Sequence, residues 1–171
     1  MTTELLDAAL VEEATKKSGL IWVRGADGPE RALWHVWHEG AALVVGDGPG
    51  EQPLPGLVDG GAATVTVRSK DKGGRIVGWR AKVLELAPGG EAWEAAVAEL
   101  KGKRLNAPDA ETMTLRWGRE CRVVRLEPVR GADVVPASDG SLAAAPVPSS
   151  AVTRNAVPAG LPRLIGRRRK R

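Results

Sequence analysis

Two histidines three residues apart, His35 and His38, form the first spacing in this 171-residue chain that could serve chemistry. A pair three or four apart can bind zinc when both side chains lie on one helix face. The surrounding RALWHVWH instead alternates like a strand, on which residues three apart point to opposite faces. The pattern therefore predicts no metal site here, although either histidine could contact a cofactor.

The single cysteine and the glycine-rich stretch suggest little further chemistry. Cys121 begins a predicted strand with no Ser, His and Asp grouping around it in sequence, which favours a structural thiol. One cysteine also excludes an internal disulfide or a thiolate metal cluster. Residues 47–61 match neither the Walker loop nor the dinucleotide fingerprint, and their prolines predict a flexible or polyproline-like wrap around the edge of the domain. The sequence identifies no catalytic residue.

Tryptophan is the only aromatic residue type, because the chain contains no Phe and no Tyr. Trp93 is expected in the core. Trp34 and Trp37 cannot share one strand face, so at least one should leave the main core. For Trp37 and Trp79, a core position and a position in a pocket or interface both stay open. These rings are the only aromatic surfaces that could stack on a planar ligand.

Basic side chains recur along two predicted strands and the hairpin between them, at Arg68, Lys70, Lys72, Arg75, Arg80 and Lys82. They are typical of a solvated outer face. The alternative is a binding surface for a phosphate-bearing ligand, since the arginine fork matches phosphate geometry.

The net charge of +4 belongs to the end of the chain. Residues 1–130 carry 18 basic and 19 acidic side chains, whereas residues 131–171 carry 7 and 2. The Ala- and Pro-rich composition from 131 onward predicts a disordered linker, and its final GRRRKR could contact a polyanion. With no signal-peptide run and no long apolar stretch, we expect a cytoplasmic protein without a membrane span, in which residues 1–130 form one domain.

The hydrophobic pattern within 1–130 predicts two helices and seven strands. Helices are expected at about 3–17 and 91–105, and strands at 19–24, 31–38, 41–46, 62–69, 75–86, 112–118 and 121–128. The first three strands should form an antiparallel meander. The fold class is mainly β with flanking helices.

This order of elements resembles the flavin-binding split-barrel family, which includes the pyridoxamine-phosphate-oxidase-like proteins and their deazaflavin-using relatives. The likeness covers about residues 3–128. It rests on SGLIWVRGADGPERALWHVWHEGAALVVGDG and ATVTVRSKDKGGRIVGWRAKVLEL, with their Asp27-Gly28, Glu39-Gly40 and Gly-Gly turns. The resemblance implies a six-stranded antiparallel split barrel, commonly a homodimer, with FMN or a deazaflavin (F420-type) between the subunits.

The resemblance also implies where the cofactor would lie. The positions matching the family's cofactor-facing residues are Arg31, Trp34, His35, Val36 and Trp37 on the second strand, and Arg68, Ser69 and Lys70 at the end of the fourth. The family usually carries a basic helix between its third and fourth strands, for the cofactor phosphate. Here PGEQPLPGLVDGG takes that place without a basic residue.

Three functional hypotheses follow. The first is a flavin- or deazaflavin-binding protein of an oxidoreductase-like family, of unknown substrate. The second, favoured by the missing basic helix, is a cofactor-free dimeric barrel that acts as an interaction module with a polyanion-binding tail. The third is haem binding through His35 or His38.

Overall fold

The computed structural model describes residues 2–70, 74–105, 107–130 and 135–136. Its three helices are α1 (Thr2–Lys17), α2 (Glu91–Lys103) and α3 (Met113–Glu120). Its strands are β1 (Leu20–Arg24), β2 (Arg31–Trp34), β3 (Val36–His38), β4 (Ala41–Gly46), β5 (Ala62–Arg68), β6 (Arg75–Glu85), β7 (Arg122–Pro128) and the two-residue β8 (Val135–Pro136). The class predicted from the sequence, mainly β with flanking helices, is confirmed.

The strands form one antiparallel sheet in the order β2-β1-β5-β6-β7-β4-β3. β2 and β3 lie at opposite ends of this path, yet they are separated in the chain by His35 alone. The sheet therefore curls into a nearly closed barrel. If β2 and β3 are counted as one interrupted strand and the two-residue β8 is left out, the sheet has the six strands that the resemblance implies.

The predicted uninterrupted strand 31–38 is wrong at His35. Before this residue the chain pairs with β1, and after it the chain pairs with β4. The backbone polar groups of Trp34 bond to a side chain instead of a strand: Gln52 Oε1 accepts from Trp34 N at 2.7 Å, and Gln52 Nε2 donates to Trp34 O at 2.8 Å. The same Nε2 donates to Val45 O at 3.2 Å. One amide thus satisfies the backbone groups that the change of partner would leave unpaired.

Two apolar cores result from the alternation of side chains along the strands. The first fills the barrel and includes Trp79, with Trp37 packed against it. These two rings lie edge to face, 6.2 Å apart and 86° between planes. Trp79 takes the core position that was predicted as one option, and the half-buried Trp37 packs against that core. The second core lies outside the barrel, where α2 and α3 cover β4 and β7, and contains Trp93 with Trp34 packed against it. As predicted, Trp34 and Trp37 lie on different faces.

The strand predicted at 112–118 is wrong, because Met113–Glu120 forms α3. Met113, Leu115 and Trp117 alternate like strand residues, which misled the prediction. Met113 and Trp117, four residues apart, are buried in the second core, while Leu115 is 60% exposed. That burial pattern is helical, and the packing of these two side chains in the second core decides the conformation.

The connection 47–61 is held in place by its own side chains. The Glu51 side chain is fully buried, and its Oε1 accepts hydrogen bonds from Trp117 Nε1 at 2.9 Å and from Arg116 Nη2 at 3.1 Å. Its Oε2 forms an ion pair with Arg104 Nη2 at 3.1 Å. Asp47 Oδ2 meets Arg122 Nη1 at 2.9 Å. The segment is an irregular but anchored clamp joining the barrel to α2 and α3.

Beyond residue 130, the described backbone is that of β8, which pairs with Val77 and Gly78 of β6. The predicted disordered linker and basic tail otherwise lie outside the described residues. Among the helices of the described chain, none is long and apolar enough to cross a bilayer.

Candidate functional site

Among the described residues, α2 and α3 pack against β3, β4 and β7 and leave the outer face of β2, β1, β5 and β6 free of these two helices, whereas α1 contacts β6. Across this face, Trp22 of β1 is in register with Ala32 on one side and Thr66 on the other, and Thr66 is in register with Gly78. The side chains of Ala32 and Thr66 are small and Gly78 has none, so these residues do not cover the indole. The half-buried Trp22 ring is therefore a flat aromatic platform flanked by small residues.

Arg68, at the end of β5, lies over the face of the Trp22 ring. Its guanidinium carbon lies 4.6 Å from the centre of the Trp22 ring, a cation–π distance. Its Nη2 donates to Glu30 Oε2 at 3.2 Å. At the register shift ending the β5–β6 ladder, Arg68 is paired with Arg75. Like charges placed opposite each other on neighbouring strands are destabilising, so this end of the platform favours an anion.

Two shallow depressions adjoin Arg68. One, of about 420 Å³, is lined by Leu20 and Trp22, and the other, of about 390 Å³, by Leu10 of α1 and Ile76 of β6. Both share Ser18, Arg68, Ser69 and Lys70. Both are shallow and mainly apolar, with Arg68 and Lys70 at their edges, and the second also has the carboxylate of Glu13 in its lining.

Further basic residues lie along the strands on the other side of Trp22. Arg24 is in register with Thr64, and Thr64 with Arg80, so two exposed arginines flank one small side chain. Lys82 follows two residues after Arg80 on the same strand. The strands thus carry cations that the connection 47–61 lacks, and these could receive a phosphate or carboxylate.

Of the eight predicted site residues, three line the two depressions and five do not. Arg68, Ser69 and Lys70 lie together around the depressions. Arg31 is exposed at the start of β2. Trp34 stands beside α2, where the Arg104 guanidinium lies 5.1 Å from its ring centre.

The other three predicted residues are held inside the protein. His35 is 7% exposed, Val36 belongs to the second core and the half-buried Trp37 packs against the first core. None of the three lines either depression. Their proposed contact with a cofactor stays a prediction.

His35 ties α1 to the barrel. Its Nε2 donates to Thr15 O, 2.8 Å away in the last turn of α1, which leaves Nδ1 as the bare ring nitrogen. That nitrogen is buried without a hydrogen-bond partner among the described residues. Burial lowers the pKa of His35, and the bond to Thr15 offsets this only in part.

The remaining reactive groups fit structural roles. Within the described ranges, no three His, Cys, Asp or Glu side chains gather as metal ligands would. Burial raises the pKa of Cys121, which keeps it a thiol rather than a nucleophilic thiolate. The hydrogen bond to Asp109 holds the pKa of Arg116 above its usual range, as expected for a permanent ion pair.

No family model and no curated protein sequence matches the chain. Among solved structures, the haem storage protein HutZ from Vibrio cholerae is 12% identical, with 72% of this chain and 91% of that chain covered and a TM-score of 0.47. An F420 reductase is 13% identical over 69% and 92%, with a TM-score of 0.40. An FAD and heme binding protein from Mycobacterium smegmatis is 14% identical over 87% and 90%, with a TM-score of 0.42. Similarities at this level assign neither ligand nor activity to this chain.

Proposed function

We propose that this chain is a split-barrel protein that binds a planar anionic cofactor, FMN or a deazaflavin (F420-type), on the open face of β1, β5 and β6. The observation that carries the proposal is the Trp22 platform, which is flanked by small residues and has the Arg68 guanidinium over its ring. A stacking surface beside a forked cation matches a ring system that bears an anionic chain.

The residues present fit such a cofactor. The Trp22 ring would stack on its planar ring system, while Arg68 and Lys70 would face its negative charge and the Ser69 hydroxyl would add a donor or acceptor. Arg24 and Arg80 would hold an anionic chain that extends the other way along the strands. These residues would take the place of the basic helix missing from 47–61.

A bound flavin or deazaflavin supplies hydride or electron transfer, so the chain need not provide an acid or a base. Its own part is to bind and orient the ring and to cover it from water. The raised pKa of Cys121 and the burial of His35 agree with this role of the chain, because neither side chain offers a nucleophile, acid or base at the platform.

Titration of the purified protein with FMN, followed by flavin fluorescence, tests the proposal. Arg68→Gln should weaken binding roughly tenfold or more, because a hydrogen bond to a charged group contributes about 1.5–3 kcal/mol. Trp22→Leu should also weaken it, since stacking on an aromatic side chain is worth about 1–3 kcal/mol. Arg119→Gln, an exposed charge on α3, is the matched control and should have no effect. Absence of FMN and deazaflavin binding up to about 1 mM, a binding free energy of only about 4 kcal/mol, would overturn the proposal.

The open face also supports the homodimer. Leu20 and Ile76 are 51% and 38% exposed on the rims of the two depressions. Burying them against a second copy would stabilise the pair and cover a bound ring. This observation equally favours the second candidate, a cofactor-free dimeric interaction module. Sedimentation of the flavin-free protein separates the two: a dimer that binds no flavin supports the module, and a monomer excludes it.

Contact between the basic tail and a polyanion belongs to the same proposal. Because β8 pairs with β6, the chain should be shortened after Pro136 and not at 131. The shortened protein should keep its fold and lose salt-dependent binding to heparin. Retention of that binding would instead indicate the basic residues of the barrel face.

A further inference from the structure

Arg68 is already engaged by an acid of its own chain. The ion pair with Glu30 spans 38 positions in sequence, and its side chains are 40% and 25% exposed for Arg68 and Glu30 respectively. The same guanidinium covers the Trp22 ring at 4.6 Å. Any planar ligand that stacks on this ring must therefore move Arg68 or take it as a partner.

We propose that Glu30 is an internal competitor for the anionic group of the ligand and so sets the preference of the site between charged and uncharged ring systems. In the free protein, the Glu30 carboxylate holds Arg68 over Trp22. A phosphate replaces that carboxylate as the partner of Arg68, and the guanidinium swings off the ring as it follows the new charge. A neutral ligand offers no such exchange.

The electrostatic surroundings of Arg68 strengthen this inference. Arg75 is its partner across the register shift, and Nε of each arginine is buried without a hydrogen bond to the residues that the structure describes. Glu30 is paired with Arg68, and among the described side chains Arg75 forms no ion pair. A dianionic phosphate would satisfy both better than the single charge of Glu30.

The inference rests on the proposed function for its ligand, and the experiment separates the two. FMN and riboflavin share one ring system, and FMN alone carries the phosphate. Removing the competing charge with Glu30→Gln should tighten FMN binding roughly two- to fivefold, the range expected for a partly exposed ion pair. Riboflavin binding should stay nearly constant. The ratio of FMN to riboflavin affinity is the quantity to measure.

Two further variants separate competition for Arg68 from a general effect of net charge. Glu111→Gln changes the net charge by the same amount at an exposed position on the other side of the barrel and should leave the ratio unchanged. In a background of Arg68→Gln, the gain from Glu30→Gln should disappear, because the competitor then has nothing to compete for. A gain that persists without Arg68 overturns the inference.

Inorganic phosphate provides a test without a flavin. Followed by tryptophan fluorescence, phosphate should bind Glu30→Gln more tightly than the unmodified chain. If flavins fail to bind but phosphate affinity rises, the proposed cofactor is wrong and the role of Glu30 stands. If phosphate affinity and the FMN-to-riboflavin ratio both stay the same, Glu30 is not a competitor.

Discussion

Replacing Glu51 with alanine tests whether the connection 47–61 is a clamp or a loose wrap. The Glu51 side chain is fully buried and meets the guanidinium groups of Arg104 and Arg116, which remain 25% and 21% exposed. Breaking a buried charge pair costs about 3–5 kcal/mol, mainly because the remaining charge is left without a partner. Both guanidinium groups here can regain water, and Arg116 keeps Asp109 at 2.7 Å. We therefore expect the lower end, a loss of about 3 kcal/mol in the free energy of unfolding.

Urea unfolding followed by tryptophan fluorescence measures this loss. Glu51→Gln should cost about half as much, since the amide oxygen can still accept from Trp117 Nε1 and the hydrogen bond to a neutral donor contributes about 1 kcal/mol. Glu111→Gln, on the exposed surface, should stay within about 0.5 kcal/mol of the unmodified chain. A loss below about 1 kcal/mol for Glu51→Ala would refute the clamp and favour the flexible wrap.

Two further predictions concern stability. Because burial lowers the pKa of His35, the stability that depends on its neutral form is present above about pH 6.5 and is lost as the pH falls through the lowered value. The difference in free energy of unfolding between the unmodified chain and His35→Gln should therefore be smaller at pH 5 than at pH 7.5. Parallel pH profiles of the two proteins would contradict this role. Gly25→Ala would place a Cβ on the backbone carbonyl of Gly56, which cannot yield as a side chain could, so we expect a loss of about 1–3 kcal/mol. Gly19→Ala meets nothing within 4 Å and serves as its control, and equal thermal midpoints for the two variants would show that the close approach is absent.

Most of the fold could be predicted because its strands alternate plainly. Ala63, Val65 and Val67 of β5 face the barrel core as their spacing indicates, and the predicted helix at 91–105 is α2, two residues shorter. The helix α3 could not be distinguished from a strand in so short a window. What decides its conformation is the packing of Met113 and Trp117 against α2 and β7, a feature of the assembled fold.

The break at His35 and the platform at Trp22 escaped prediction for a related reason. The break depends on Gln52, 18 residues from Trp34, whose amide replaces a strand as hydrogen-bond partner. The platform depends on strand register, which sets Ala32 and Thr66 beside Trp22. The alternation of side chains within β5 does predict that Arg68 faces outward, so this one residue of the site could be placed from the sequence. The acid that holds Arg68 became evident only from the pairing of distant segments.

The most direct test of the proposed site uses the six tryptophans as reporters. Each indole N–H gives one signal in a two-dimensional nitrogen–proton spectrum, and Trp22→Leu identifies the signal of Trp22 by its loss. On titration with FMN, we expect the Trp22 signal to shift most, with the signals of the buried Trp79 and Trp117 nearly unchanged. If FMN shifts another indole while that of Trp22 stays in place, or shifts none, the platform is not the cofactor site.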